Sequence, residues 1–372
     1  GSPKNILEII ILCIEPRSLT NINISVPSTI KPLFSNNFFE KIIKVLKCTI
    51  DFIKCICYNN IYEGKVEKIK LSLKTNLLIK EGRKTNMQKY IIKNQNSFEL
   101  KDIFECGQCF RWDKQKDDSY TGVIKQGIIN VKKENEDIIF TGICDRDIKE
   151  IIYEYFDLDR DYEQIKEKLA KIDEYLKTSI EYGKGIRILN QDLWETIISF
   201  IISANNNIPR IKGIIERLSQ KYGNEIEWEG KKYYTFPSCE QLKDVTVQDY
   251  RNLGLGFRDI RLYETTQMIL NKEVDLEKLR NNPNTQEVRN ELLKLSGVGP
   301  KVADCILLFS DLKRFDVFPI DVWVRRVMND LYIKENDETK VSKTKIEKLA
   351  EEKFGELKGL AQQYLFYWRR EN

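Results

Sequence analysis

Residues 291–327 read ELLKLSGVGPKVADCILLFSDLKRFDVFPIDVWVRRV. An apolar-periodic run ends at Leu295, a Gly-Val-Gly-Pro turn follows, and a second helical pattern opens at Lys301, so the spacing predicts two helices joined by a tight hairpin. Gly297 and Gly299 free the turn to take backbone angles closed to other residues and let its amides approach a phosphate. The helix behind them points its positive end at the same anion. A Gly-x-Gly turn by itself is weak evidence, because many helices end in glycine.

Lys301 and Asp321 strengthen it. A lysine at the head of a helix is electrostatically out of place, since the first turn favours negative charge; the expectation is an amine nudged toward its neutral, nucleophilic form. Asp321 lies twenty residues downstream in Phe-Pro-Ile-Asp-Val-Trp, directly before a helical run predicted over Val322–Leu331. Its ordinary role there is an N-cap. Taken singly, one is a surface lysine and the other a cap; taken with the hairpin, they point to a nucleophile and its carboxylate partner.

The run Leu-x-Gly-Val-Gly-Pro-Lys-Val-Ala-Asp-Cys, followed by Pro-Ile-Asp-Val, resembles the signature of the helix-hairpin-helix (HhH-GPD) DNA glycosylase superfamily. In its bifunctional members the lysine attacks the anomeric carbon of a damaged nucleotide and forms a Schiff base, while the aspartate orients the lysine and stabilises charge developing on the sugar. The resemblance assigns these roles to Lys301 and Asp321. They suit a carboxylate beside a cation-like transition state.

Three more segments select the 8-oxoguanine branch. SFIISANNNIPR (199–210) is similar to the block in which an asparagine fills the space left by the extruded base and an arginine reads the opposite cytosine, which implies Asn205 and Arg210. GLGFR (254–258) resembles the block that supplies an aromatic wedge and a second cytosine-reading arginine, implying Phe257 and Arg258. CGQCFRW (106–112) implies that the Gly107 carbonyl accepts a hydrogen bond from the oxidised base. Oxidation turns an acceptor nitrogen of guanine into a donor, so one carbonyl can tell damaged from normal base. From AQQYLF (361–366) the family match implies Gln362 at the base's pairing edge and Phe366 stacking on one face, with Cys305 on the other. Core packing is the ordinary reading of those last two.

The departures are Trp323, where family members often carry a histidine, and Phe257 in place of a tyrosine. The first puts a phosphate contact in doubt and the second the strictness of the opposite-base preference. An endonuclease III-type enzyme would carry four cysteines after the aspartate helix for an iron-sulfur cluster, but no cysteine follows Cys305. Alkylated-base glycosylases generally lack the lysine. Two alternatives stay open: a glycosylase for another oxidised base, and a non-catalytic hairpin module that only grips backbone phosphates.

The whole chain excludes other chemistries. It has 372 residues, no histidine and nine cysteines without a repeated framework. Histidine bases, Cys/His and Ser/His pairs and Cys/His zinc sites are therefore absent, and a reduced cytosolic protein is expected. Cys106-x-x-Cys109 has no partner pair, which disfavours a metal or redox reading. The net charge of +4 is too small to argue for a polyanion partner.

The opening Gly-Ser-Pro reads as a vector-derived remnant and the first methionine is Met87. Residues 1–86 are either an extension lacking methionine or a stretch upstream of a start near Met87. They hold 14 Lys/Arg against 7 Asp/Glu, so the remainder is acidic. Within them, the run 38–58 spaces Lys41, Lys44, Lys47 and Lys54 among apolar residues, a basic amphipathic helix pattern; neither it nor 6–14 makes a convincing membrane span.

The expected fold class is α+β: a small antiparallel β-sheet domain, then a mostly α-helical HhH-GPD domain. Strand patterns cover Tyr120–Ile124, Gly127–Val131 and Asp137–Ile143 as a meander; helical patterns cover Ile148–Phe156, Tyr162–Leu176, Leu193–Ile202 and Ile208–Tyr222, continuing almost to the C-terminus. The boundaries expected are 1–86 unassigned, 87–185 sheet with connecting helices, 186–345 catalytic and 346–372 a C-terminal helix completing the base pocket. The resemblance implies a monomer acting on duplex DNA with 8-oxoguanine opposite cytosine, with no required metal or cofactor, no membrane, and room for a structural cation on the hairpin carbonyls. Its location would be the cytoplasm and nucleoid of a prokaryote, or the nucleus of a eukaryote.

Overall fold

The computed structural model describes residues 87–95, 97–337 and 340–371. The readings of residues 1–86, including the 38–58 amphipathic pattern, lie outside the described residues.

Five strands, β1 (Gln88–Ile92), β2 (Trp112–Lys114), β3 (Tyr120–Ile124), β4 (Gly127–Glu134) and β5 (Asp137–Ile143), form an antiparallel sheet in the order β1-β5-β4-β3-β2. β3 to β5 are the expected meander, extended by the short, unforeseen β2 along β3. β1, which the strand pattern had not marked, closes the sheet along β5, with Tyr90 opposite Phe140. One face packs on aromatic residues: Phe104 stacks on Trp112 at 4.2 Å and Phe140 meets Phe156 edge-on at 5.2 Å.

Fourteen helices are described. α1 (Leu100–Phe104) lies between β1 and β2; α2 (Ile148–Tyr155), α3 (Tyr162–Ala170) and α4 (Glu174–Tyr182) lead out of the sheet. Then come α5 (Leu193–Ser203), α6 (Ile208–Tyr222), α7 (Val247–Asn252), α8 (Asp259–Leu270), α9 (Leu276–Asn281), α10 (Thr285–Leu292), α11 (Pro300–Phe309), α12 (Val322–Met328), α13 (Lys343–Phe354) and α14 (Lys358–Glu371). No described helix is long and apolar enough to cross a membrane.

The predicted helix over 162–176 is two helices, because Asp173 takes an extended backbone and accepts the Leu176 amide at 2.9 Å, capping a new start. The helical continuation expected after Tyr222 is interrupted by a hairpin, β6 (Glu225–Trp228) and β7 (Lys231–Tyr234). Its turn has two left-handed residues, Glu229 (φ 48°) and Gly230 (φ 72°), the geometry two-residue hairpins favour. Trp228 from this hairpin buries against Val123 and Ile128 of the sheet. The run predicted to Leu331 is helical to Met328, widens into a π turn over Asn329–Ile333, and stops at left-handed Lys334.

The helical core is built round α5, where every residue from Leu193 to Ile202 except Glu195 is buried. A helix buried on nearly all sides belongs at the centre of a layered domain. α11 lies beside it, with Phe309 stacked on Phe200 at 5.6 Å. α14 returns to the first segment: Tyr367 donates to Asp102 at 3.2 Å and Gln363 to the Cys106 carbonyl at 2.6 Å. The chain's two ends of chemistry are thereby brought together.

Candidate active site

The hairpin forms as expected, between α10 and α11. Gly297 has φ +83°, and a Cβ there would stand 2.9 Å from Arg261 Cδ and 3.2 Å from Ile201, so both conformation and space require glycine. Gly299 differs: it caps α11 with φ −90°, and a Cβ would meet nothing within 4 Å. Gly299 is exposed, and free amides at the head of a helix suit an anion.

Lys301 sits in the first turn of α11, its ammonium 5.6 Å from the centre of the Phe200 ring. Cys305, one turn on, is buried and bonded to it; burial pushes the thiol up to about 11, against the pull of Lys301. Lys301 is held above the ordinary lysine range, first by the Cys305 sulfur, with burial pulling the other way and the Asp321 carboxylate pushing up. This corrects the expectation of an amine tilted toward neutrality. The helix end carries roughly half a charge, and the Cys305 and Asp321 side chains outweigh it. Asp321 caps α12, its Oδ1 accepting the Val324 amide at 2.9 Å. The cap and the charge partner are one carboxylate in two roles.

A narrow apolar cleft, too tight for a water molecule, is lined by Phe318, Val324, Val327, Met328, Gln362, Leu365 and Phe366. The segment from Phe318 to Met328 thus carries Asp321 in its middle and cleft wall at both ends. Gln362 is buried and its Oε1 has no hydrogen-bond partner. An unpaired buried acceptor is costly, and a ligand donor would relieve it. Cys305 does not line the cleft; it lies beneath Lys301.

Gly107 approaches Phe366, one of the residues that line the cleft. Its φ is +91°, and a Cβ there would lie 3.8 Å from the Phe366 ring and 3.5 Å from Arg370. The flanking residues are locked. Gln108, fully buried, donates to the carbonyls of Ile103 and Arg187 and accepts the Leu189 amide. Cys106 is held by Gln363, and Arg370 donates to the Glu105 carbonyl while lying 5.8 Å over the Phe366 ring. Burial pushes the Cys106 thiol up to about 12 and Cys109 higher still, so neither is a thiolate at neutral pH.

The DNA-facing candidates lie on two loops. The three asparagines divide their work: Asn206 donates to Ile202, Asn207 caps α6, and Asn205, left-handed at φ 50°, stands exposed. Arg210 is exposed and reaches the Gly254 carbonyl at 3.3 Å. Phe257 is 53% exposed. Arg258, unlike Arg210, is turned inward in the DNA-free protein. It is 1% exposed, and its guanidinium donates to the carbonyls of Ala204, Asn205 and Leu255. Burial lowers its pKa, with Arg210 and Arg261 adding to the effect. In this state Arg258 clamps the asparagine loop, because the carbonyls at the left-handed end of α5 need donors.

Two family models match consecutive parts of the chain: the 8-oxoguanine DNA glycosylase N-terminal domain over residues 90–197, and the HhH-GPD superfamily base excision DNA repair protein over 198–355. An N-glycosylase/DNA lyase of Saccharomyces cerevisiae is 32% identical over 262 residues, 63% of this chain and 68% of the yeast protein. A probable N-glycosylase/DNA lyase of Methanothermobacter thermautotrophicus is 31% identical over 61% of this chain and 76% of its own.

The chain belongs to the 8-oxoguanine DNA glycosylase family.

Among solved structures, the 8-oxoguanine glycosylase/lyase of Clostridium acetobutylicum, in complex with duplex DNA containing cytosine opposite 8-oxoguanine, is 45% identical. It matches with a TM-score of 0.72 and covers 77% of this chain and 98% of that one. Within a glycosylase of this family, sequence reasoning missed Gln363, Arg370 and Gln108, which hold the Gly107 segment, and Phe200 beneath the lysine. Gln363 adjoins Gln362 in AQQYLF, and nothing in that run says which glutamine faces the cleft. Trp323 is 56% exposed, with the Arg326 guanidinium 5.2 Å over its ring.

Proposed function

We propose that this protein is a bifunctional DNA glycosylase/AP lyase that removes 8-oxoguanine, preferentially opposite cytosine, from duplex DNA. It acts as a monomer without metal or organic cofactor, on chromosomal DNA. The observation that carries the reading is the convergence of Lys301, Cys305 and Asp321 directly behind the hairpin, with Asp321 on the same Phe318–Met328 segment that, together with Gln362 and its unpaired buried oxygen, walls the cleft. The Clostridium acetobutylicum relative, bound to cytosine opposite 8-oxoguanine, supports the choice of lesion and opposite base.

In this reading the Lys301 amine attacks the anomeric carbon of the extruded nucleotide. The bond from that carbon to the base breaks, and the base leaves with the bonding pair. Asp321 stands where positive charge grows on the sugar. Ring opening leaves an imine on Lys301; loss of the C2′ proton then expels the 3′ phosphate. Lys301 is an ammonium in the free protein, so its proton must leave before attack. Burial, the influence already pulling its pKa down, grows as substrate excludes water. Gln362 Oε1 offers an acceptor to the purine's N–H groups, and the Gly107 carbonyl offers one to the N–H that oxidation creates.

The test is a duplex with one 8-oxoguanine opposite cytosine, incubated with borohydride. A covalent protein–DNA adduct that disappears in Lys301→Gln is expected. An adduct that survives that substitution, or base release without any adduct, would overturn the lysine assignment.

A further inference from the structure

The asparagine loop, the exposed Phe257 ring and the hairpin turn are tied together by two arginines. Arg258 binds the ring's loop to the carbonyls of Ala204 and Asn205. Arg261, in the first turn of α8, makes the second tie. Its Cβ and Cδ run so close to Gly297 that a Cβ there would stand 3.1 and 2.9 Å from them, while its guanidinium carbon lies 5.2 Å from the centre of the Phe257 ring. The same face of α8 holds the turn twice more. Thr265 donates to the Ser296 carbonyl at 2.9 Å, and the Ser296 hydroxyl donates to Glu264 at 2.5 Å.

Phe257 carries no hydroxyl to anchor it, so the cations over its ring are what set its direction. Arg258 has its donors on the carbonyls of Ala204, Asn205 and Leu255. Arg261 is half-buried, and its guanidinium has no carbonyl or carboxylate partner among the described residues. A free guanidinium between a phosphate-gripping turn and an exposed aromatic ring has the chemistry to take a phosphate oxygen.

We propose that Arg261 is a positioning residue that couples the hairpin's hold on the DNA backbone to insertion of Phe257: its stem fixes the register of ring and turn, and its guanidinium neutralises one phosphate. The proposal rests on the glycosylase reading for the wedge and not on which lesion is excised. Arg261→Met keeps an unbranched stem against Gly297 and removes the charge; Arg261→Lys restores the charge.

Two measurements decide it. Binding to undamaged duplex across a salt series is expected to lose about 0.9 from its log–log slope in Arg261→Met, one phosphate's worth, and to regain it in Arg261→Lys. Single-turnover processing of the lesion duplex should fall roughly fivefold in Arg261→Met, the scale of an exposed cation–π contact. Cleavage of a preformed abasic site, which has no base to extrude, should change less than twofold. An unchanged salt slope overturns the proposal, as does an equal loss on both substrates, which would make Arg261 structural only. If the parent cleaves abasic DNA but leaves 8-oxoguanine intact, the lesion reading fails while the salt slope still judges Arg261.

Discussion

The two ends of the proposed site are built by different physics. The nucleophile end is local: Lys301 and Cys305 face one another a turn apart on α11, and Asp321 follows within the same quoted stretch, positioned by a single cap. The pocket end is assembled at long range. Gly107 meets Phe366 only because Gln363 holds the Cys106 carbonyl across 257 residues, with Arg370 and Tyr367 reaching back to Glu105 and Asp102. Chemistry built on one helix survives small shifts elsewhere, whereas recognition built between distant segments depends on the docking of α14. Catalysis and base recognition should therefore separate by mutation.

The largest expected effect breaks that comparison cleanly. Lys301→Gln should lower strand cleavage on the order of 10³-fold or more, on lesion and preformed abasic duplexes alike, with duplex binding retained. Gln363→Ala should slow base excision from the lesion duplex while abasic cleavage stays near the parent's, because only the Gly107 carbonyl is released. Equal losses on both substrates in Gln363→Ala would show that the two ends are not independent.

A smaller contrast lies within the hairpin. Gly297→Ala places a methyl against Arg261 and Ile201 at a positive φ, and should cost about 1–3 kcal/mol of stability as well as DNA affinity. Gly299→Ala meets nothing within 4 Å and should leave thermal unfolding unchanged while weakening DNA binding. Thermal melts beside a binding titration check both, and a destabilised Gly299→Ala would sink the distinction.

The smallest effect sharpens the electrostatics of the nucleophile end. Lys301 is held above its ordinary range, so in the parent the reactive amine becomes more abundant as pH rises and single-turnover excision should climb with pH. Cys305 is the largest upward influence; removing it lets burial pull Lys301 down. Cys305→Ala should therefore move the rising limb of the pH–rate profile to lower pH. A limb that stays put or moves to higher pH would contradict the pairing.

Legibility followed the same division. α6 was readable at both ends, because Asn207 caps it, Pro209 sits in its first turn and Gly223 ends it. The break at Asp173 was not, since apolar spacing runs through it undisturbed and a capping aspartate looks like any surface acid. The β6–β7 hairpin hid among helices because four-residue strands carry little periodicity; its Glu229-Gly230 turn was the one local signal. The burial of Arg258 was not readable, since no pattern in Gly-Leu-Gly-Phe-Arg distinguishes an outward arginine from one turned onto carbonyls fifty-four residues away.

By itself the sequence determined the hairpin, the lysine at its head and the aspartate beyond it, because these are contiguous and their spacing is set by helix and turn geometry. Only the tertiary structure decided the protonation of Lys301, the burial of Arg258, the partition of Gln362 and Gln363 between cleft and scaffold, and the tie Arg261 makes between ring and turn. Each of those depends on neighbours brought together through space, and charge, burial and hydrogen-bond satisfaction are set by such neighbours rather than by position along the chain.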